Sequence, residues 1–142
     1  MNNMPTSVRQ TTHDTAIVAL LQRDVPGLCA VYRYGSAGGP HERLDSDIDI
    51  ALLAEMPLPF GERQKLAIKL AELTHRDVDL NDMLTLPLTL RVQIVMNGVR
   101  LYARDKVASE FYDTHTLSDY VRLNEERAGI LADVRARGSI YG

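Results

Sequence analysis

Hydrophobic positions change period several times along the chain. Residues 14–23 place Ala16, Ile17, Leu20 and Leu21 at helical spacing behind Asp14, which predicts an amphipathic helix. Asp24 and Pro26-Gly27 end it. Residues 28–34 (LCAVYRY) contain Val31, Tyr32 and Tyr34 and predict a strand running into Gly35. In residues 47–53, Ile48, Ile50 and Leu52 alternate with Asp47 and Asp49, so a second strand turns its apolar side one way and two carboxylates the other. Leu66, Leu70 and Leu73, with Ala67 and Ala71, mark a helix over 62–74. A short strand follows at 77–82. A helix over 86–97 is expected to stop at Asn97-Gly98, and a last strand to occupy 99–103. Two further helices are expected at 105–112 and 117–136, the second carrying Leu117, Tyr120, Val121, Leu123, Ile130, Leu131 and Val134. Strands alternating with helices predict an α/β domain with a helical tail.

The 142 residues suit a single core-forming domain. A composition 45% hydrophobic and 25% charged excludes disordered and fibrous classes. No apolar run approaches the length of a membrane span, and the polar start lacks the basic and apolar regions of a secretory signal. One cysteine, Cys29, excludes an internal disulfide and a cysteine-based zinc site; a reducing, cytoplasmic setting is expected. The net charge of −3 does not suggest a dedicated nucleic-acid binder. It is unevenly spread: Glu42, Asp45, Asp47 and Asp49 stand against Arg43 alone. Such a knot repels itself unless a cation offsets it.

That knot lies within the most informative stretch, residues 34–50. Gly35-Ser36 ends one strand and Asp47-Ile48-Asp49 opens the next. Side chains two apart on a strand share a face, so Asp47 and Asp49 project together, as two hard cations at a phosphoryl- or nucleotidyl-transfer centre require. Gly35 permits close approach of the backbone, and Ser36 and the following N–H groups suit a phosphate. A lone Asp-x-Asp is more often simply solvated. A calcium loop starting at Asp45 fails, because Ile50 and Met56 stand where glycine and glutamate are needed. A haloacid-dehalogenase-type phosphatase is disfavoured by Ala51 and by the short chain. Three carboxylates, Asp77, Asp79 and Asp82, are available on the later strand. Asp79 is centred between Val78 and Leu80, with Asp77 on its face and Asp82 on the other or beyond the strand end. The four histidines show no zinc spacing.

Gly-Ser, ten residues (37–46), Asp-x-Asp and a later Val78-Asp79-Leu80 together resemble the minimal nucleotidyltransferases, small members of the DNA polymerase β-like superfamily. The resemblance covers most of residues 14–103. It implies a small mixed sheet flanked by helices, with residues 1–104 as the nucleotidyltransferase domain and 105–142 as a tail that packs on the domain, a partner or both. It implies Asp47, Asp49 and Asp79 as catalytic, metal-binding carboxylates, two Mg²⁺ ions with ATP as substrate, and Gly35, Ser36 and Arg43 at the nucleotide. The run Ala37-Gly38-Gly39-Pro40 departs from the basic and small residues usual after Gly-Ser.

Chains of this size resemble the antitoxins of HEPN–nucleotidyltransferase toxin–antitoxin pairs. The implied function is transfer of AMP from ATP to a tyrosine hydroxyl of a HEPN ribonuclease partner, without direct nucleic-acid or membrane contact. Two alternatives stand beside it: an antitoxin that acts by binding alone, and a small-molecule transferase of the aminoglycoside-modifying kind.

Overall fold

The computed structural model describes residues 12–35 and 47–137. In chain order these form α1 (Thr12–Asp24), β1 (Leu28–Tyr34), β2 (Ile48–Ala54), α2 (Phe60–Thr74), β3 (Val78–Asp82), a 3₁₀ turn (Met83–Thr85), α3 (Leu88–Asn97), β4 (Val99–Ala103) and α4 (Lys106–Ala136). The strands make one mixed sheet in the order β3-β2-β1-β4. β1 runs antiparallel to both β2 and β4, while β2 and β3 are parallel. A parallel pair needs a crossover, and α2 supplies it.

Alternation along the strands fills two apolar layers. On one face Val31, Ile48, Ile50, Leu52 and Leu80 pack with Ile17 and Leu21 of α1 and Leu66 and Leu70 of α2. On the other, Ala30, Tyr32, Ala51 and Leu53 pack with Met83 and with Ile94 of α3, and Tyr112 of α4 lies against them. Burying these side chains is the dominant favourable contribution to the fold, about 1.5–3 kcal/mol for each large aliphatic residue. One charged pair is buried with them: Arg33 of β1 donates to the Asp14 carboxylate of α1.

Three local features differ from the sequence expectations. The expected break at 113–116 is absent, and α4 is continuous for 31 residues. The polar residues there are used from within the helix. Asp113 accepts from the Tyr32 hydroxyl at 2.6 Å and from Arg100 at 3.1 Å, and the Thr116 hydroxyl donates to the Tyr112 carbonyl at 2.9 Å. The expected helix over 86–97 begins at Leu88, after Pro87, because proline suits the entry to a helix and not its interior. Gly98 closes α3 with extended backbone; a Cβ there would meet the Ile94 carbonyl oxygen at 2.5 Å. The left-handed helix stop is instead His75, at φ 58° behind α2.

Among the described residues, the C-terminal half of α4 is little covered. Val121, Ile130, Leu131 and Val134 of α4 are all at least half exposed. No helix among the described residues is long and apolar enough to cross a membrane.

Candidate active site

Strand register builds the site. Tyr34 of β1 pairs with Asp49 of β2, and Asp49 pairs with Asp79 of β3. These three residues therefore form one row across the sheet. Neighbouring strands are about 4.8 Å apart, so the row is compact. It lies on the face that α3 and α4 cover only further along, where Ala51 and Leu53 continue β2 into the apolar layer. Asp47 immediately precedes β2 and is exposed. The backbone N–H of Ile48 is held by the Asp77 carbonyl at 2.8 Å, which anchors the start of β2 to the start of β3.

Gly35 follows Tyr34 with φ +73°, a conformation that side chains with a Cβ disfavour. It also comes close to the carboxylate row. A Cβ on residue 35 would lie 2.2 Å from the Asp49 Oδ2 atom. Glycine is thus required twice, for its backbone conformation and for the space that Asp49 occupies.

Among the described residues the site is anionic. The Asp49 carboxyl is pushed above its ordinary range, first by burial and then by the charges of Asp79 and Asp47. None of the ion pairs among the described residues engages Asp47, Asp49 or Asp79. Burial beside the same carboxylates pushes the Tyr34 phenol up to about 12. Its oxygen accepts a hydrogen bond from Asn81 Nδ2 at 2.7 Å.

All the donors are hard oxygens, the set that Mg²⁺ prefers. Among the described residues no three carboxylate, histidine or cysteine side chains close into a ready-made cage. That fits Mg²⁺ at a nucleotide site, which takes one or two carboxylates and completes its shell with substrate phosphates and water. A groove of about 300 Å³ opens beside Asp79, lined by Phe60, Arg63, Gln64, Val78 and Asn81. The Arg63 guanidinium stands 5.3 Å above the Phe60 ring.

Of the residues singled out in the sequence, Gly35, Asp47, Asp49 and Asp79 come together here. Ser36 and Arg43, with the 37–40 departure, lie outside the described residues. Asp77 sits at the entry to β3. Asp82 is fully buried and structural, accepting from the Leu58 and Leu84 backbone N–H groups at 2.8 and 2.9 Å. Tyr34 and Asn81 were not expected at the site. The signal for Asn81 was available, since it stands two residues beyond Asp79 and therefore shares its face. Tyr34 could be placed only once the register of β1 against β2 was known.

Comparison with known proteins finds relatives over most of the chain. The family described as "Polymerase beta, Nucleotidyltransferase" matches residues 16–107. Protein adenylyltransferase MntA of Shewanella oneidensis is 35% identical over 127 residues, which cover 89% of this chain and 91% of that protein. The structure of an MNT antitoxin with a tri-AMPylated HEPN toxin of Shewanella oneidensis superposes with a TM-score of 0.71 at 34% identity, covering 86% of this chain and 95% of the other. A toxin–antitoxin structure with AMP-PNP gives 0.73 at 37% identity, covering 85% and 97%.

Proposed function

From a chain that belongs to the polymerase β nucleotidyltransferase family, we propose an antitoxin that transfers AMP from ATP to a tyrosine hydroxyl of a cognate HEPN toxin. The observation that carries this reading is the in-register pair Asp49–Asp79 on parallel strands, with Asp47 beside it and Gly35 packed against Asp49. The relatives support the substrate and partner. One is named a protein adenylyltransferase, one is bound to an AMPylated HEPN toxin, and one contains an ATP analogue.

In the transfer, the acceptor tyrosyl oxygen bonds to the α-phosphorus of ATP. The bond from that phosphorus to the β-bridging oxygen breaks, and pyrophosphate leaves. Asp47 and Asp49 would hold Mg²⁺ at the triphosphate, with Asp79 completing the site on the acceptor side. When bound, Mg²⁺ supplies the positive charge that offsets the build-up on the departing pyrophosphate and on the attacking oxygen. A tyrosine hydroxyl, with a pKa near 10, is a weak nucleophile at neutral pH. Asp79 is exposed and can take its proton as the new bond forms. Gly35 keeps the strand end close to Asp49. Ser36 and Arg43 are assigned to the triphosphate from their place in the Gly-Ser motif.

The domain from 1 to 104 carries this chemistry and the tail from 105 to 142 serves the partner. Ile130, Leu131 and Val134 of α4 are at least half exposed and lie toward one side of the helix at 3.6 residues per turn, and they suit that role, because such an apolar patch is expected to be covered in a complex.

The test is incubation of the chain and its toxin with ATP labelled at the α-phosphate. Wild-type protein should label the toxin, and the toxin's intact mass should rise in steps of one AMP. Asp47→Asn should fold and still bind the toxin but transfer no label. Neutralisation without labelling by the wild type would favour the binding-only antitoxin. Labelling by Asp47→Asn at the wild-type rate would refute the assignment of the carboxylates.

A further inference from the structure

β3 is the outermost strand of the sheet, and among the described residues no strand pairs with its outer side. Which backbone groups it turns outward follows from its pairing with β2. The Ile48 N–H bonds to the Asp77 carbonyl at 2.8 Å, with Ile48 in register with Val78. Bonding direction alternates along a strand. The Asp77 carbonyl and the backbone groups of Asp79 and Asn81 therefore face β2, and the N–H and C=O groups of Val78 and Leu80 face the open edge.

The groove of about 300 Å³ beside Asp79 follows this edge. Val78 and Leu80 line it from one face of β3, Asp79 and Asn81 from the other. The opposite wall is α2, where Phe60, Arg63, Gln64 and Ala67 are spaced to share one face of the helix. Phe60 is 62% exposed although it is large and apolar. Such an edge accepts an extended segment as an added strand: main-chain hydrogen bonds hold it, and its side chains alternate between the two faces. The residue opposite Asp79 would project beside the Asp79 carboxylate, one strand spacing of about 4.8 Å away. Its two neighbours would turn to the other face, toward Phe60 and Ala67.

The order of the row says what arrives there. It runs from Tyr34 through Asp49 to Asp79 and then to the open edge. The triphosphate is assigned to the inner strands, beside Gly35, Asp47 and Asp49, so the acceptor hydroxyl comes in from beyond Asp79, over the β3 edge. A second copy of this chain suits the edge poorly. β3 against β3 would set the carboxylates of Asp77 and Asp79 against like charges, which destabilises strand pairing.

We propose that the toxin segment carrying the acceptor tyrosine binds as an added strand on β3, with the tyrosine opposite Asp79 and an apolar or aromatic neighbour seated on Phe60. The proposal rests on the transfer reading, because that reading supplies the acceptor and places the nucleotide on the inner strands.

The experiment is residue-resolved amide exchange of the full chain, alone and with its toxin, Mg²⁺ and an ATP analogue whose α–β bridge is a methylene group, so that pyrophosphate cannot leave. The Val78 and Leu80 amides should slow by about 10-fold or more in the complex, while Asp79 and Asn81, already bonded to β2, change little. Free-chain rates at Val78 and Leu80 in the complex would overturn the proposal. Equal slowing at all four residues would mean cover without pairing, and would overturn it too. Slowing at Val78 and Leu80 in the chain alone as its concentration rises would assign the edge to a second copy instead. Phe60→Ser, at an exposed position, should fold normally. It should raise the toxin concentration that half-saturates transfer by about 10-fold, with the rate at saturating toxin changing less; unchanged half-saturation would remove Phe60 as the seat and overturn the proposal. Transfer of α-phosphate label from ATP to the same toxin is measured alongside. No transfer by the wild type would overturn the transfer reading, whereas transfer with an unprotected edge overturns the added strand alone.

Discussion

Substituting Gly35 by alanine adds one methyl group and tests the closest approach in the site. Two effects follow from the structure, and they separate. At φ +73° a residue with a Cβ costs about 1–2 kcal/mol relative to glycine. For a chain of this size that is a fall in Tm of about 3–8 °C. The added Cβ would also lie 2.2 Å from Asp49 Oδ2, where real contacts essentially never fall below 3.0 Å. The clashing atom is the end of a side chain, so Asp49 relieves it by swinging away and the strands need not separate. The stability loss should therefore stay near the backbone value. Activity should not be spared. A carboxylate displaced by about 1 Å is expected to cost transfer about 10²-fold. Thermal unfolding and the initial rate of α-phosphate transfer to the toxin measure the two quantities on the same sample. In an Asp49→Ala background the clash is gone, and Gly35→Ala should cost only the backbone value. Gly35→Ala protein that transfers at the wild-type rate would refute the close-approach reasoning, whatever its Tm.

Other substitutions probe the remaining contacts. Asp49 has a raised pKa in the folded chain, so folded protein takes up its proton before unfolded protein does; ionised Asp49 thus opposes folding at neutral pH, and the penalty is relieved as pH falls toward the raised value. Asp49→Asn should accordingly abolish transfer yet raise the Tm of the cation-free protein at pH 7, with the gain shrinking on acidification; a lower Tm at pH 7 would contradict this. Asp14→Ala takes away the carboxylate that faces buried Arg33 and should destabilise the fold by about 3–5 kcal/mol in urea titration. Tyr32→Phe removes the hydroxyl that donates to Asp113; it should cost about 1–2 kcal/mol and speed amide exchange in the first half of α4 ahead of β1 and β2. Glutamate at Ile130 and Val134, both at least half exposed, should leave the Tm of the isolated chain within about 1 °C, because exposed sites contribute little to stability, while toxin capture is lost.

Which residues could form strands, and which side of each would carry charge, was legible in local sequence. Alternation in 47–53 is a local property, and the structure returns it with Ile48, Ile50 and Leu52 inward and Asp49 on the opposite face. The Gly-Ser and Asp-x-Asp spacing is equally local, which is why the family could be named from it. Helix continuity was not legible in the same way. Asp113 and Thr116 look like breakers in isolation, and only Tyr32 and Arg100, brought in from distant strands, turn Asp113 into an anchor inside α4. The fate of the apolar residues of α4 was likewise open until the described residues left Val121, Ile130, Leu131 and Val134 uncovered.

The site itself was decided at the level of register. Nothing within β1, β2 or β3 states that Tyr34, Asp49 and Asp79 stand in one row. That follows from an antiparallel and a parallel pairing meeting on β2. A slip of one residue in either pairing would turn the side chains to opposite faces. The apolar sides of the strands, buried against α1 and α2, forbid that slip. The carboxylates are thus placed by residues on the other face of the sheet, and Gly35 is needed where it is because of an aspartate fourteen positions later in the chain.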